Sequence, residues 1–380
     1  MWRDNAAKHT GTAESIGSTA VERPDIGTMM RCSSVLLPFA VWLGVANHAP
    51  ANVRIGVFSL FHPRELAIRA VDDDALSVQA GGRPCVLRRG QEVQLRAVGA
   101  AIEMICAGEP MEAPAVHAGR AGADAPEMEL SVPGRIARRF RGAIDVTAAG
   151  GELVPVVSVD IEIAVASVVA AEQTASTPVE ALKAQAVAAR SYFVAARGRH
   201  RGFDFCDTTH CQFLKASPDA AAPAARAAAA TAGVVLAFRG APIAALYSAS
   251  CGGRTRTLAA AGLSGAQGYP YFSVQCAYCQ RHSLEWETRL DAGPDLERLE
   301  AQRSEAARLA AGRRRGWAAV PGNNFQIDHD DAGTVVIRGR GEGHGIGLCQ
   351  AGAAALAEGG ASFREILTHY YPGTTLIVVN

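Results

Sequence analysis

The stretch VVAAEQTASTPVEALKAQAVAARSYF, residues 168–193, constrains the fold more than any other part of the chain. An apolar, alanine-rich run stops at one carboxylate, Glu172, and a polar break separates it from a helix start signal. Thr177 reads as an N-cap, Pro178 falls in the first turn, and Glu180 lies three residues after the cap, the pattern of a capping box. Leu182, Ala186, Ala189 and Phe193 then recur on one helical face. An acid held between two helical stretches, at the end of an apolar run, cannot be freely solvated.

On either side of this segment the pattern changes. Residues 52–110 read as short β-segments: NVRIGVFSLF alternates, and ELAIRAV, LSVQA, CVLRR and QEVQLRAVG follow at close spacing. Residues 107–135, rich in Pro, Ala and Gly, read as a loop or linker. A strand-like pair over 136–165 leads into the opening segment. Beyond it we expect a helix near 219–231, a hairpin turning at Arg239–Gly240, one charged amphipathic helix over 295–313, and a hairpin turning near Asp331–Gly333. Two short helices and a final strand close the chain. Strands and helices do not alternate strictly, so the expected class is α+β: a β-rich N-terminal lobe (52–150) plus a mixed α/β core (151–380) with a substrate cleft.

Residues 1–51 read as a leader. Cys32–Ala46 is an apolar run too short to span a bilayer, and Ala49 and Ala51 form a small-x-small cleavage pattern. No later stretch is long and apolar enough for a transmembrane span, so an exported protein of the periplasm or cell envelope is expected. Lys plus Arg and Asp plus Glu both number 37, so no overall field favours nucleic acid. Eight of the nine cysteines lie beyond the leader. Outside the cytosol some of these should be disulfides or metal ligands.

Besides the Glu172 segment, three motifs and a few scattered residues carry candidate chemistry. In GRHRGFDFCDTTHCQ, His200, Cys206, His210 and Cys211 can close a tetrahedral zinc site, with a Cys206–Cys211 disulfide as the alternative. In GEGHGIGLCQAG, four glycines surround His344 and allow close backbone approach. YSASCGGRT ends a strand in a glycine turn bearing Ser248, Ser250, Gly252 and Gly253. Cys251 with Cys276-x2-Cys279 reads as a disulfide or a second metal site. Tyr269 and Tyr271 read as stacking or core residues.

The runs VVAAE, EALKAQAVAARSYF, CDTTHCQ, SASCGG, GEGHGIGLCQAGA and YYPGTTL occur in an order that resembles the SpoIID/LytB family of cell-wall proteins, over roughly residues 155–380. The resemblance implies a lytic transglycosylase that cuts peptidoglycan glycan strands, with Glu172 as catalytic acid. It implies His344 and Gln350 as cleft residues, and a structural Zn2+ on the His200–Cys211 segment. With glycan as substrate, Ser248, Ser250, Gly252 and Gly253 become candidates for contacting a sugar. A lone acid suffices if the muramyl C6 hydroxyl attacks C1 and leaves a 1,6-anhydro sugar. Glu162 cannot be its partner if 162–172 is helical, since ten residues of helix span about 15 Å. Relatives often have Met-Pro after the glutamate and Tyr after the glutamine, where this chain has Gln173-Thr174 and Ala351. The competing expectations are a non-catalytic glycan-binding modifier of a cell-wall amidase, with other wall hydrolases as partners, and a zinc-dependent wall hydrolase.

Overall fold

Among the described residues strands dominate from 52 to 160, interrupted by one 3-10 turn at Ser59–Phe61, and α-helices enter only after residue 160. The computed structural model describes residues 52–120, 125–263, 268–331 and 333–379; the leader reading of residues 1–51 lies outside them. Before the first helix come β1 (Asn52–Gly56), β2 (Glu65–Ala70), β3 (Leu76–Ala80), β4 (Arg83–Leu87), β5 (Glu92–Val98), β6 (Ala101–Cys106), β7 (Glu109–Ala113), β8 (Ala115–Gly119), β9 (Glu127–Val132), β10 (Ile136–Arg141), β11 (Ala143–Ala149) and β12 (Glu152–Asp160). One sheet has the order β10-β9-β2-β5-β6-β7. The other has the order β13-β1-β12-β11-β8-β3-β4, its edge supplied by β13 (Phe205–Cys206) from later in the chain.

Period-2 burial explains the pairing. Leu66 and Ile68, Val93 and Leu95, and Ile102 and Met104 from one sheet share a core cluster with Val116, Ala118, Ile144 and Val146 from the other. The segment expected as a linker, 107–135, is therefore mostly strand. Its Pro110 is tolerated because β7 lies at a sheet edge, and β8 buries Val116 and Ala118 at alternate positions despite its small side chains. Cys85 and Cys106 form a disulfide between the sheets.

The helices are α1 (Ile161–Glu172), α2 (Val179–Ala195), α3 (Pro223–Ala230), α4 (Ala277–Arg281), α5 (Pro294–Gln302), α6 (Glu305–Arg315), α7 (Gln350–Glu358) and α8 (Phe363–Tyr370). Asp160 caps α1 by accepting from the amides of Glu162 and Ile163 at 2.8 and 3.3 Å. α2 is nearly all buried, one face on the sheet cluster and the other on a second core with α7, α8, Tyr269 and Tyr271. Both tyrosines are core residues, donating to Pro372 and Ala244 carbonyls.

The expected capping box at 177–180 is absent: Pro178 is the N-cap of α2, and Thr177 bonds Gln173 instead. Glu180 accepts from Lys183 and from the Phe363 amide, and the capping box belongs to Ser362 and Glu365 of α8. The charged helix over 295–313 is two helices, broken where Arg303 adopts left-handed backbone and Ser304 caps α6.

Completing the core are β14 (Val234–Phe238), β15 (Ala241–Pro242), β16 (Tyr247–Ser248), β17 (Glu285–Leu290), β18 (Phe325–His329), β19 (Val335–Arg340), β20 (Leu348–Cys349) and β21 (Thr375–Val378). The β14–β15 and β18–β19 hairpins turn where expected. The molecule is α+β.

Candidate functional site: a cleft around Glu172

Three local constructions converge on one cleft. The first is the end of α1, which delivers Glu172. Ala164 to Val169 are buried, so the helix is apolar on nearly every side and its C-terminal carboxyl emerges beside the core. The second is the parallel pairing of β16 with β20, Tyr247 to Leu348 and Ser248 to Cys349, which sets Ser248 next to the start of α7. The third is the parallel pairing of β13 with β1, Gly56 to Cys206. A Cβ on Gly56 would come within 2.7 Å of the Phe203 ring, so glycine permits this approach.

The cleft encloses about 440 Å³. Glu172, His210, Cys211, Ser248 and His344 line it, together with Asp207, Gln212, Tyr247, Glu305, Arg308, Trp317 and Glu342. Burial raises the Glu172 carboxyl above its ordinary range, while a Gln350 hydrogen bond, the Phe213 amide and the Lys215 charge pull weakly the other way. Its place at a helix C-terminus disfavours the anion further. Gln350 Nε2 lies 3.4 Å from Glu172 Oε2 and 3.5 Å from Gln185 Oε1.

The other acids of the cleft are engaged or exposed. Asp207 is paired with Arg138 at 2.8 Å, and Glu305 with Arg308 at 2.6 Å; Glu342 is exposed. Glu162 holds the buried Arg190 guanidinium through both oxygens, as expected for a residue that is no partner of Glu172.

Ser248 is buried, and among the described residues its Oγ has no hydrogen-bond partner although it lines the cleft. A buried hydroxyl without a partner keeps a donor and an acceptor free for a ligand or an ordered water. His344 Nδ1 accepts from the Ile346 amide at 3.0 Å, so its proton sits on Nε2; burial holds the imidazole neutral by lowering its pKa. Gln350, expected as a cleft residue, is buried behind Glu172 and is not among the residues lining the cleft. Ser250, Gly252 and Gly253 are not among the residues lining the cleft: Ser250 Oγ lies 3.5 Å from Cys279 Sγ, Gly252 packs on Arg340 and Gly253 on Gln280.

Sequence reasoning missed several cleft residues. Tyr247 donates to Gln212 Oε1 at 2.8 Å, and Gln212 is anchored by the Ala189 carbonyl at 3.2 Å. Trp317 lines the cleft with half its surface exposed. An exposed tryptophan in LAAGRRRGWAAV was the available signal.

His200, Cys206, His210 and Cys211 do come together, their ligand atoms within 4.8 Å of one another. His200 Nε2 lies 3.3 Å from Cys211 Sγ, and His210 Nδ1 lies 3.7 Å from Cys206 Sγ and 3.6 Å from Cys211 Sγ. The two sulfurs are not joined. The Cys206 thiol is pulled down to about 3, chiefly by the hydrogen bond from Cys211. Two thiols, one already acidic, and two imidazoles at these separations fit a tetrahedral zinc ion.

Residues 149–238 match the family model described as stage II sporulation protein, SpoIID. The chain is 29% identical over 259 residues to an uncharacterized protein of Brachyspira hyodysenteriae, covering 60% of this chain and 69% of that one. It is 28% identical over 260 residues to stage II sporulation protein D of Bacillus amyloliquefaciens, covering 58% and 74%. A 46-residue stretch is 56% identical to the amidase enhancer of Bacillus subtilis, but spans only 12% of this chain and 6% of that protein. The family match over residues 149–238 and the long alignment to stage II sporulation protein D make the chain similar to the SpoIID family.

Proposed function

We propose that this protein, similar to the SpoIID family, is an exported cell-wall enzyme, a lytic transglycosylase that cleaves peptidoglycan glycan strands. The observation that carries the reading is Glu172: a half-buried carboxyl, raised in pKa by burial, open to a cleft and without a paired cation among the described residues. Such an acid is protonated where a leaving glycosidic oxygen needs a proton.

In the forward step Glu172 donates its proton to the glycosidic oxygen as the C1–O bond breaks. Positive charge develops at C1 and the ring oxygen. The carboxylate then takes the proton of the muramyl C6 hydroxyl, whose oxygen bonds C1 and closes the 1,6-anhydro ring. Glu172 ends protonated, and no water is consumed. Gln350 holds one carboxyl oxygen, Ser248 offers an unpaired hydroxyl to the saccharide, and Trp317 offers a flat face to a sugar ring. A zinc ion on His200, Cys206, His210 and Cys211 would be closed by four protein ligands, so its contribution is to hold the 206–213 turn in shape. That turn brings Gln212 to Tyr247 and the Phe213 amide to Glu172.

A second reading, glycan binding without cleavage in support of a cell-wall amidase, is favoured by the short match to the amidase enhancer. Incubating the mature protein with purified sacculi and with glycan strands stripped of stem peptides separates the two. New anhydromuramyl ends that vanish in Glu172→Gln support cleavage. Intact strands that retain the protein, with amidase activity raised by its addition, overturn it. Freed stem peptides sensitive to a chelator would point to zinc-dependent hydrolysis of the peptide.

A further inference from the structure

A second cluster of metal-ligating side chains lies apart from the residues that line the cleft. Cys251 follows β16, Cys276 caps α4, Cys279 lies within α4, and Cys349 ends β20 at the cap of α7. The four sulfurs lie within 4.8 Å of one another, and Cys279 Sγ is 3.5 Å from Cys349 Sγ. All four residues are at most 2% exposed, and none is in a disulfide. A disulfide needs the two sulfurs at about 2.05 Å. A tetrahedral zinc with bonds of about 2.3 Å separates its sulfurs by about 3.8 Å.

The surroundings suit anionic sulfur. The amides of Cys251 and Gly352 point at Cys349 Sγ at 3.3 and 3.4 Å. The Tyr370 hydroxyl lies 3.4 Å from Cys276 Sγ, and Ser250 Oγ lies 3.5 Å from Cys279 Sγ. Donors converging on ligand sulfurs are the usual outer support of a thiolate site. Gly352 is part of the design: a Cβ there would fall onto the Tyr370 hydroxyl and within 2.5 Å of Cys276 Sγ.

We propose that Cys251, Cys276, Cys279 and Cys349 form a closed tetrathiolate site for one Zn2+. The ion ties three separated pieces of chain: the turn after β16, the α4 turn and the start of α7. Cys349 directly precedes Gln350, whose side chain lies 3.4 Å from Glu172, so the ion braces the residue that holds the candidate acid, a consequence that rests on the function proposed above; the metal site itself does not.

The test uses the full mature chain, purified without chelator, and reads metal and thiols rather than wall cleavage. A His200→Ala/Cys206→Ser variant, which removes the other cluster, should retain one zinc per chain. Replacing that zinc with Co2+ should give the intense sulfur-to-cobalt absorption and tetrahedral bands of four thiolates. Peptide mapping after alkylation should find the four cysteines protected until a chelator is added to unfolded protein. Adding Cys276→Ser and Cys279→Ser to that variant should lose the remaining metal. Because loss of the brace can unfold the latter protein, the protection and cobalt measurements on the first variant decide the matter. No metal in that variant, or cysteines recovered from unreduced protein as disulfide-linked peptides, overturns the proposal.

Discussion

At the scale of single residues, burial of Glu172 works against stability in order to keep a proton. Its folded pKa lies above the unfolded value, so the folded state binds more protons between the two and stability falls as pH rises through that window. Glu172→Gln removes this penalty. Its melting temperature should match the native protein's well below the ordinary glutamate value of about 4.3 and exceed it increasingly above, levelling off past the folded pKa. Thermal unfolding of both proteins across pH checks this; parallel curves would show that burial does not shift the group. Ser248→Ala tests the orphaned hydroxyl. It should leave stability unchanged or raise it by about 1 kcal/mol, while weakening glycan binding several-fold. Isothermal titration with stripped glycan strands, alongside denaturant unfolding, reads both. The placing of Glu172 at a buried helix end and the gathering of His200, Cys206, His210 and Cys211 were legible because each sits in a dense local motif. Ser250 was assigned to a sugar from its neighbours, but β16 ends at Ser248 and the chain turns, sending Ser250 towards Cys279. The Tyr247–Gln212 contact joins positions that no local pattern relates.

At the scale of elements, one ion pair locks the helices that flank the cleft. Arg190 of α2, 1% exposed, grips Glu162 of α1 and the carbonyls of Ala228 in α3 and Val234 in β14. Glu162→Gln would leave a buried guanidinium without its counter-charge, and should cost about 3 kcal/mol in urea unfolding. Arg190→Met/Glu162→Leu should recover much of that loss, because both charges leave together. The helical character of 161–195 was readable from its apolar run and alanine spacing. The cap was not: Pro178 itself takes the non-helical cap backbone (φ −55°, ψ 141°), and the Thr177 hydroxyl is drawn to Gln173. The break between α5 and α6 had a readable signal in Ser304-Glu305, overridden by the continuous charge pattern around it. The strands of 107–135 hid behind Pro, Ala and Gly, because an edge strand tolerates proline and a close-packed sheet interior accepts small residues.

At the scale of the molecule, the β-rich region and the helical core are continuous: β1 pairs with β13, and residues of α1, α2 and α3 share the sheets' core cluster. The Cys85–Cys106 disulfide closes a 21-residue separation inside the β-rich region. On the chain-entropy view it contributes about 3 kcal/mol, so Cys85→Ala/Cys106→Ala should lower stability by that order without altering wall binding. The α+β class was legible from the order of strand-like and helical patterns; of the second thiol cluster Cys251, Cys276 and Cys279 were legible as a group, but not Cys349, which joins them from across the chain. The central claim is that one carboxyl serves as acid and then as base while the substrate supplies the nucleophile. Digesting stripped glycan strands in heavy-oxygen water and weighing the new ends tests it most directly. The account predicts anhydro ends that lack one water, carry no label, and disappear in folded, metal-replete Glu172→Gln. Labelled reducing ends, or unlabelled cleavage persisting at the native rate in that variant, would contradict it.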